Sequence, residues 1–110
     1  MHLHLKQEMK SSIERDVVRA LRQVFDPEIP SNIYDLGLIY ELNIDENNKA
    51  FIKMTLTAPG CPMADEIVDN VAQAVKDVPG ITDVSIELVF DPAWDKSMMS
   101  EEALLDLGML

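Results

Sequence analysis

Two short runs with a two-residue apolar period, flanked on each side by a run of helical period, constrain this chain more than any other feature. Leu38, Tyr40, Leu42 and Ile44 alternate with Ile39, Glu41 and Asn43, and Ile52, Met54 and Leu56 alternate with Phe51, Lys53 and Thr55. Such alternation gives a strand one apolar face and leaves the other to water. Asp45 to Lys49 reads as a turn, so the two strands form an antiparallel hairpin. Ahead of it, Ser11 and Glu14 have capping-box spacing. Ile13, Val17, Ala20, Leu21, Val24 and Phe25 then recur on one face, which predicts a helix from about residue 12 to 25. Pro27 and Pro30 end it, because neither donates a backbone hydrogen bond and each restricts the residue before it.

After the hairpin, a loop at 58–62 leads into Ala64, Ile67, Val68, Val71, Ala74, Val75 and Val78, a second amphipathic helix closed by Pro79 and Gly80. Val84, Ile86, Leu88 and Phe90 make a third strand broken by Asp91 and Pro92, and Ser100 to Leu107 reads as a short helix with Gly108 beyond its end. The order α-β-β-α-β predicts an α+β fold: a two-layer domain with a three-stranded mixed sheet and a short C-terminal helix. The third strand runs parallel to the second, since a helix lies between them, and the expected strand order is 2-1-3. The 110 residues suit one domain at 11–110 behind a flexible lead-in at 1–10, with enough chain to bury roughly two thirds of the unfolded surface. His2 and His4 lie in that lead-in with no further ligand nearby, which argues against a metal site there.

Charge narrows the partners. The net charge is −11, and residues 61–110 carry eleven acids against two bases, Lys76 and Lys96. Nucleic-acid binding draws its affinity from Lys and Arg that displace counterions, and anionic membranes attract the same residues, so neither is an expected partner. With one cysteine, no secretory signal and no long apolar stretch, a soluble cytoplasmic protein is expected.

The strand directions carry the argument from fold to site. An antiparallel hairpin sets the start of its first strand beside the end of its second, and a third strand parallel to the second ends at that same edge. Asp35 and Gly37, Thr57 to Cys61, and Asp91 to Trp94 therefore meet on one rim, joined by the segment at 26–30. Loops held on a rigid scaffold are where small domains place function. Pro62 suits the first position of the second helix, which makes Cys61 its N-cap. Unpaired N–H groups and the helix dipole favour a thiolate there, whereas Asp65, Glu66, Asp35 and Asp91 oppose it, and the net direction stays open. The plainer reading of Cys61 is a small buried apolar side chain. Trp94 reads as a clamp holding the C-terminal segment to the sheet. Met98 and Met99 read as packing, and the acids at 101, 102 and 106 as a solvated helix face.

The segments DPEIPSNIYDLGLIY at 26–40, MTLTAPGCPMAD at 54–65 and DPAWDKSMMSEEALLDLGM at 91–109 resemble, in order and spacing, the MIP18 family, also called DUF59. Its relatives include SufT-like iron–sulfur assembly proteins and PaaD-like proteins. Ala93 departs from the second proline often found before the tryptophan in SufT-like members. The resemblance implies an α+β fold and a role in maturing iron–sulfur proteins, with Cys61 as the functional thiol. It also implies that Asp26, Glu28, Asp35, Thr57 and Asp91 belong to a shared surface.

The expected function is thus an auxiliary factor that delivers iron–sulfur clusters to client apoproteins through Cys61, with the assembly machinery and clients as partners. One cysteine cannot supply the four ligands a cluster normally takes, so no cluster is stably bound. A transient one, with Cys61 as a ligand, is shared between two protomers, with a client or with a small thiol. The alternatives are a PaaD-like factor serving an oxygenase, a docking-only adaptor in which Cys61 merely caps a helix, and a mononuclear metal site of Cys61 and rim carboxylates. An enzyme is not expected, because a cysteine nucleophile needs a base and the only histidines are His2 and His4.

Overall fold

A computed structural model describes residues 2–27, 29–57 and 64–108, with side chains from residue 12 onward. Its elements are α1 (His2–Leu21), β1 (Ile39–Ile44), β2 (Lys49–Met54), α2 (Ala64–Lys76), β3 (Asp83–Leu88), a 3₁₀ turn at Lys96–Met98 and α3 (Glu101–Asp106). The α+β class and the α-β-β-α-β order are those the apolar periods predict.

Both ends of α1 differ from expectation. Helical backbone begins at His2 rather than near residue 12, so Ser11 and Glu14 lie inside the helix and do not cap it. No Gly or Pro occurs before Leu21, and nothing in the chain halts the helix over that stretch. It ends at Leu21 rather than Phe25, where the N–H groups of Gln23 and Val24 turn to the carbonyls of Ala20 and Leu21 three residues back. Beyond that turn the backbone is committed elsewhere. The Val24 carbonyl accepts the Ile33 N–H at 2.8 Å, and Phe25 bridges Asn32. Val24 stays buried, whereas Phe25 is exposed.

β1 pairs antiparallel with β2, and β2 pairs parallel with β3. The sheet order is β1-β2-β3, which corrects the expected 2-1-3. Burial explains why β2 takes the centre: Ala50, Ile52 and Met54 are all buried, whereas β3 is at best half-buried along its length. Lys53 marks the centre on the opposite face, lying 3.7 Å from Glu41 on one side and 3.8 Å from Glu87 on the other.

Ala50, Ile52 and Met54 face a core shared with Val17 and Leu21 of α1 and Ile67, Val71 and Val75 of α2. Each fully buried aliphatic side chain there contributes about 1.5–3 kcal/mol. The far face of the sheet carries Glu41, Asn43, Phe51, Lys53, Ser85 and Glu87 and is open. One irregularity in β1 shapes that face. Ile39 pairs with Met54 and Glu41 with Lys53, so Tyr40 is the extra residue of a bulge. The alternation expected through Leu38, Tyr40, Leu42 and Ile44 therefore breaks. Ile39, Leu42 and Ile44 turn toward the helices with their β2 partners, and Tyr40 joins Glu41 and Lys53 around a hollow on the open face.

Candidate functional site

Ile39, Met54 and Leu88 stand side by side across the sheet. That register brings the segments at 35–38, 55–57 and 89–94 to one edge, as the strand directions predict and independently of which strand is central. Backbone hydrogen bonds extend the ladder past the strands, from Thr55 N to the Leu38 carbonyl at 2.9 Å and from Val89 N to the Met54 carbonyl at 2.8 Å.

The C-terminal segment 91–100 crosses this edge as a strap. The Tyr40 hydroxyl donates to the Pro92 carbonyl at 2.7 Å and lies 3.6 Å from the Met98 sulfur. The indole Nε1 of Trp94 donates to the Leu36 carbonyl at 2.6 Å, which is the clamp expected of that residue. Ser100 N donates to the Asp35 carbonyl at 2.7 Å. Gly37 allows the crossing: it has φ +82°, and a Cβ there would overlap the Met98 carbonyl oxygen. The strap ends in α3, whose N-cap Ser100 accepts the Ala103 N–H and whose Ala103 enters the core.

Two buried acids organise the segment ahead of β1. Asp26 Oδ1 accepts the Ile29 N–H at 2.9 Å, and the Asp26 N–H donates to the Ser31 carbonyl at 3.1 Å, which ties off the 26–31 loop. Asp35 and Asn32 are joined twice: the Asp35 N–H donates to Asn32 Oδ1, and Asn32 Nδ2 donates to Asp35 Oδ2, both at 2.8 Å. Arg22, just past α1, reaches Asp35 Oδ1 at 3.7 Å with its guanidinium 5.2 Å from the Tyr34 ring centre. These carboxylates hold turns, which is work the sequence pattern did not reveal.

Of the other expected rim residues, Thr57 is half-buried, Asp91 is exposed and Trp94 is half-buried. Cys61 and Glu28 lie outside the described residues, as does the capping of α2 by Cys61, and His2 and His4 lie outside the described side chains. Among the described residues no group of three or more His, Cys, Asp or Glu side chains could hold a metal ion. Asp91, Pro92 and Met98 of the strap border an open hollow of about 540 Å³ with Gly37, Tyr40 and Lys53. On the strap, Asp95 is held below the usual carboxylate range, first by the Ser97 hydroxyl and then by the Ser97 N–H.

Thr55 escaped the sequence reading. It is fully buried, and its hydroxyl has no hydrogen-bond partner among the described residues. Alternation from Met54 places it on the open face of the sheet, where exposure is expected of it; its burial shows that this end of the face is covered.

The fold and rim define a class: a small two-layer α+β domain that gathers loops at one sheet edge under a C-terminal strap. The comparisons with known proteins identify it further. Residues 14–88 match the family model described as iron-sulfur cluster assembly protein, and the chain belongs to this family. It is 54% identical over 97 residues to the Fe-S protein maturation auxiliary factor of Porphyromonas gingivalis, covering 88% of this chain and 92% of that one. It is 41% identical to the Fe-S protein maturation auxiliary factor SufT of Staphylococcus aureus, covering 78% of this chain and 98% of that one. A crystal structure of a DUF59 domain from Bacillus anthracis superposes with a TM-score of 0.86 at 37% identity, over 94% of this chain and 99% of the other. The DUF59 resemblance is thereby confirmed, and with it a role in iron–sulfur assembly. Among the described residues no helix is long and apolar enough to cross a membrane.

Proposed function

We propose that this protein is an auxiliary factor that passes iron–sulfur clusters to client apoproteins, with Cys61 as the thiol that meets the cluster. The reading is carried by the Ile39–Met54–Leu88 register, which sets the exit of β2 against the loops around Asp35 and Asp91; Cys61 follows Thr57 by four positions in the sequence. Its support is the family and the relatives named as maturation factors. A lone cysteine suits hand-over, because a cluster held by four protein ligands has no incentive to leave whereas one held by a single protein thiol needs ligands from elsewhere. The cluster is cargo, shared with a second protomer, a small thiol or the client, and the protein itself turns over no substrate.

The test is anaerobic transfer. Wild type loaded with iron and sulfide restores cluster absorbance and activity to a client apoprotein, and Cys61→Ser does not, although it folds. If Cys61→Ser transfers as well as wild type, Cys61 is no ligand and the protein is a docking adaptor. Thiol-dependent hydrolysis that vanishes in Cys61→Ala would instead make it an enzyme.

A further inference from the structure

The outer edge of β3 carries features that the proposed function does not use. Among the described residues β3 has a neighbouring strand on one side only. The Val89 N–H donates to the Met54 carbonyl, so the odd-numbered residues of this parallel ladder turn their backbone groups to β2 and the even-numbered ones turn theirs away. The Val84 N–H is already taken by Asp83 Oδ1 at 2.9 Å, which leaves the outward groups of Ile86 and Leu88. Side chains add to the pattern. Val84 and Ile86 are half-buried against the core, while Leu88 and Phe90 are 37% and 40% exposed, so an apolar stripe runs down the strand and off its end. On the other face Asp83 and Glu87 are well exposed, each with one lysine of β2 beside it: Lys49 lies 3.7 Å from Asp83, and Glu87 shares Lys53 with Glu41.

We infer that the β3 edge is a docking seam for an extended segment of another protein, one that alternates apolar with basic residues. Added as a fourth strand, such a segment pairs its backbone with Ile86 and Leu88. Its apolar side chains continue the Val84–Ile86–Leu88 stripe, and its Lys or Arg side chains meet Asp83 and Glu87. A second copy of this chain fits poorly. Antiparallel self-pairing centred on Ser85 sets Asp83 opposite Glu87, pairing centred on Ile86 sets the acids diagonally, and parallel pairing sets each acid beside its equal. The inference stands whether or not Cys61 carries a cluster.

The experiment uses the full chain and three blocked octapeptides, Lys alternating with Val, Glu alternating with Val, and Lys alternating with Ser, followed by amide exchange and NMR titration. The Lys–Val peptide is expected to protect the Ile86 and Leu88 amides and to bind about tenfold more tightly than either other peptide. Leu88→Lys should abolish that protection. Asp83→Asn with Glu87→Gln should leave the edge intact and erase the preference for Lys–Val over Glu–Val, so the proposal stays testable even if Leu88→Lys does not fold. Shifts centred away from β3, no binding, or equal affinity for the three peptides overturn the proposal. So do Ile86 and Leu88 amides protected without peptide in a chain that sediments as a dimer, because the seam then belongs to a second copy.

Discussion

The indole Nε1 of Trp94 donates to the carbonyl oxygen of Leu36 at 2.6 Å, joining residues 58 positions apart. This bond and that from Tyr40 to Pro92 fasten the strap to the segment that leads into β1 and to β1 itself. Trp94→Phe keeps most of the apolar contact and removes the donor. It should lower stability by about 1–2 kcal/mol, because the carbonyl of the fully buried Leu36 then lacks that partner. Tyr40→Phe should cost less, about 0.5 kcal/mol, because the exposed Pro92 carbonyl can take water in place of the lost donor. Urea midpoints with unchanged slopes would verify both, and a null effect in both would show that neither side-chain bond holds the strap, leaving it to apolar contact and the Ser100–Asp35 backbone bond.

Gly37 is a sharper test of the same crossing. Gly37→Ala places a side chain at positive φ and against the Met98 carbonyl. Strain and clash together should cost at least about 2 kcal/mol, or else displace the strap. Trp94 is the only tryptophan, so its fluorescence separates the two outcomes. Lost stability with an unchanged spectrum means that the strap stays, and a red shift in the native spectrum means that it has lifted.

How much of this was legible beforehand depends on which residues recorded it. Strand directions follow from the hairpin and from the helix between β2 and β3, and direction alone sets the rim, so Asp35, Thr57, Asp91 and Trp94 could be placed on one edge although the strand order was wrong. Centrality was harder to read, because Ala50 looks like a weak strand residue and only the packed structure shows it fully buried. The Tyr40 bulge left no mark, since Leu38, Tyr40, Leu42 and Ile44 alternate without a break. Nor did the pairing of Asp35 with Asn32 and Arg22, because contacts across a loop have no period. The family resemblance alone puts Asp26 and Asp35 on a shared surface; in the structure both are buried, Asp26 bonded within its loop and Asp35 to Asn32 and Arg22.

Asp95 gives a prediction in pH. Its carboxylate is stabilised by the Ser97 hydroxyl and N–H, so its folded pKa lies below the ordinary 3.8. A depressed pKa contributes stability that is present above the unfolded value and lost as pH falls through the folded one. Ser97→Ala removes the first-named cause. The Asp95 titration, followed by carboxyl carbon NMR, should then move up toward the ordinary value and narrow the acid window over which the cap of the 3₁₀ turn is lost. An unchanged titration would mean that the Ser97 N–H suffices.

Thr55 allows a change that should strengthen the fold. Its hydroxyl is buried without a hydrogen-bond partner among the described residues, and an unpaired hydroxyl in an apolar setting costs about 1–3 kcal/mol. Valine has nearly the same shape and suits an extended backbone. Thr55→Val should therefore be neutral or raise stability by about 1 kcal/mol, where most buried substitutions lower it. Thr55→Ser is the control: it keeps the hydroxyl, deletes a methyl group and should lose about 1 kcal/mol. Thermal and urea unfolding of the three proteins decide the matter. If Thr55→Val is instead destabilised by more than about 1 kcal/mol, the hydroxyl is bonded in solution, to water or to a residue of the 58–63 segment, and Thr55 belongs with the rim it adjoins.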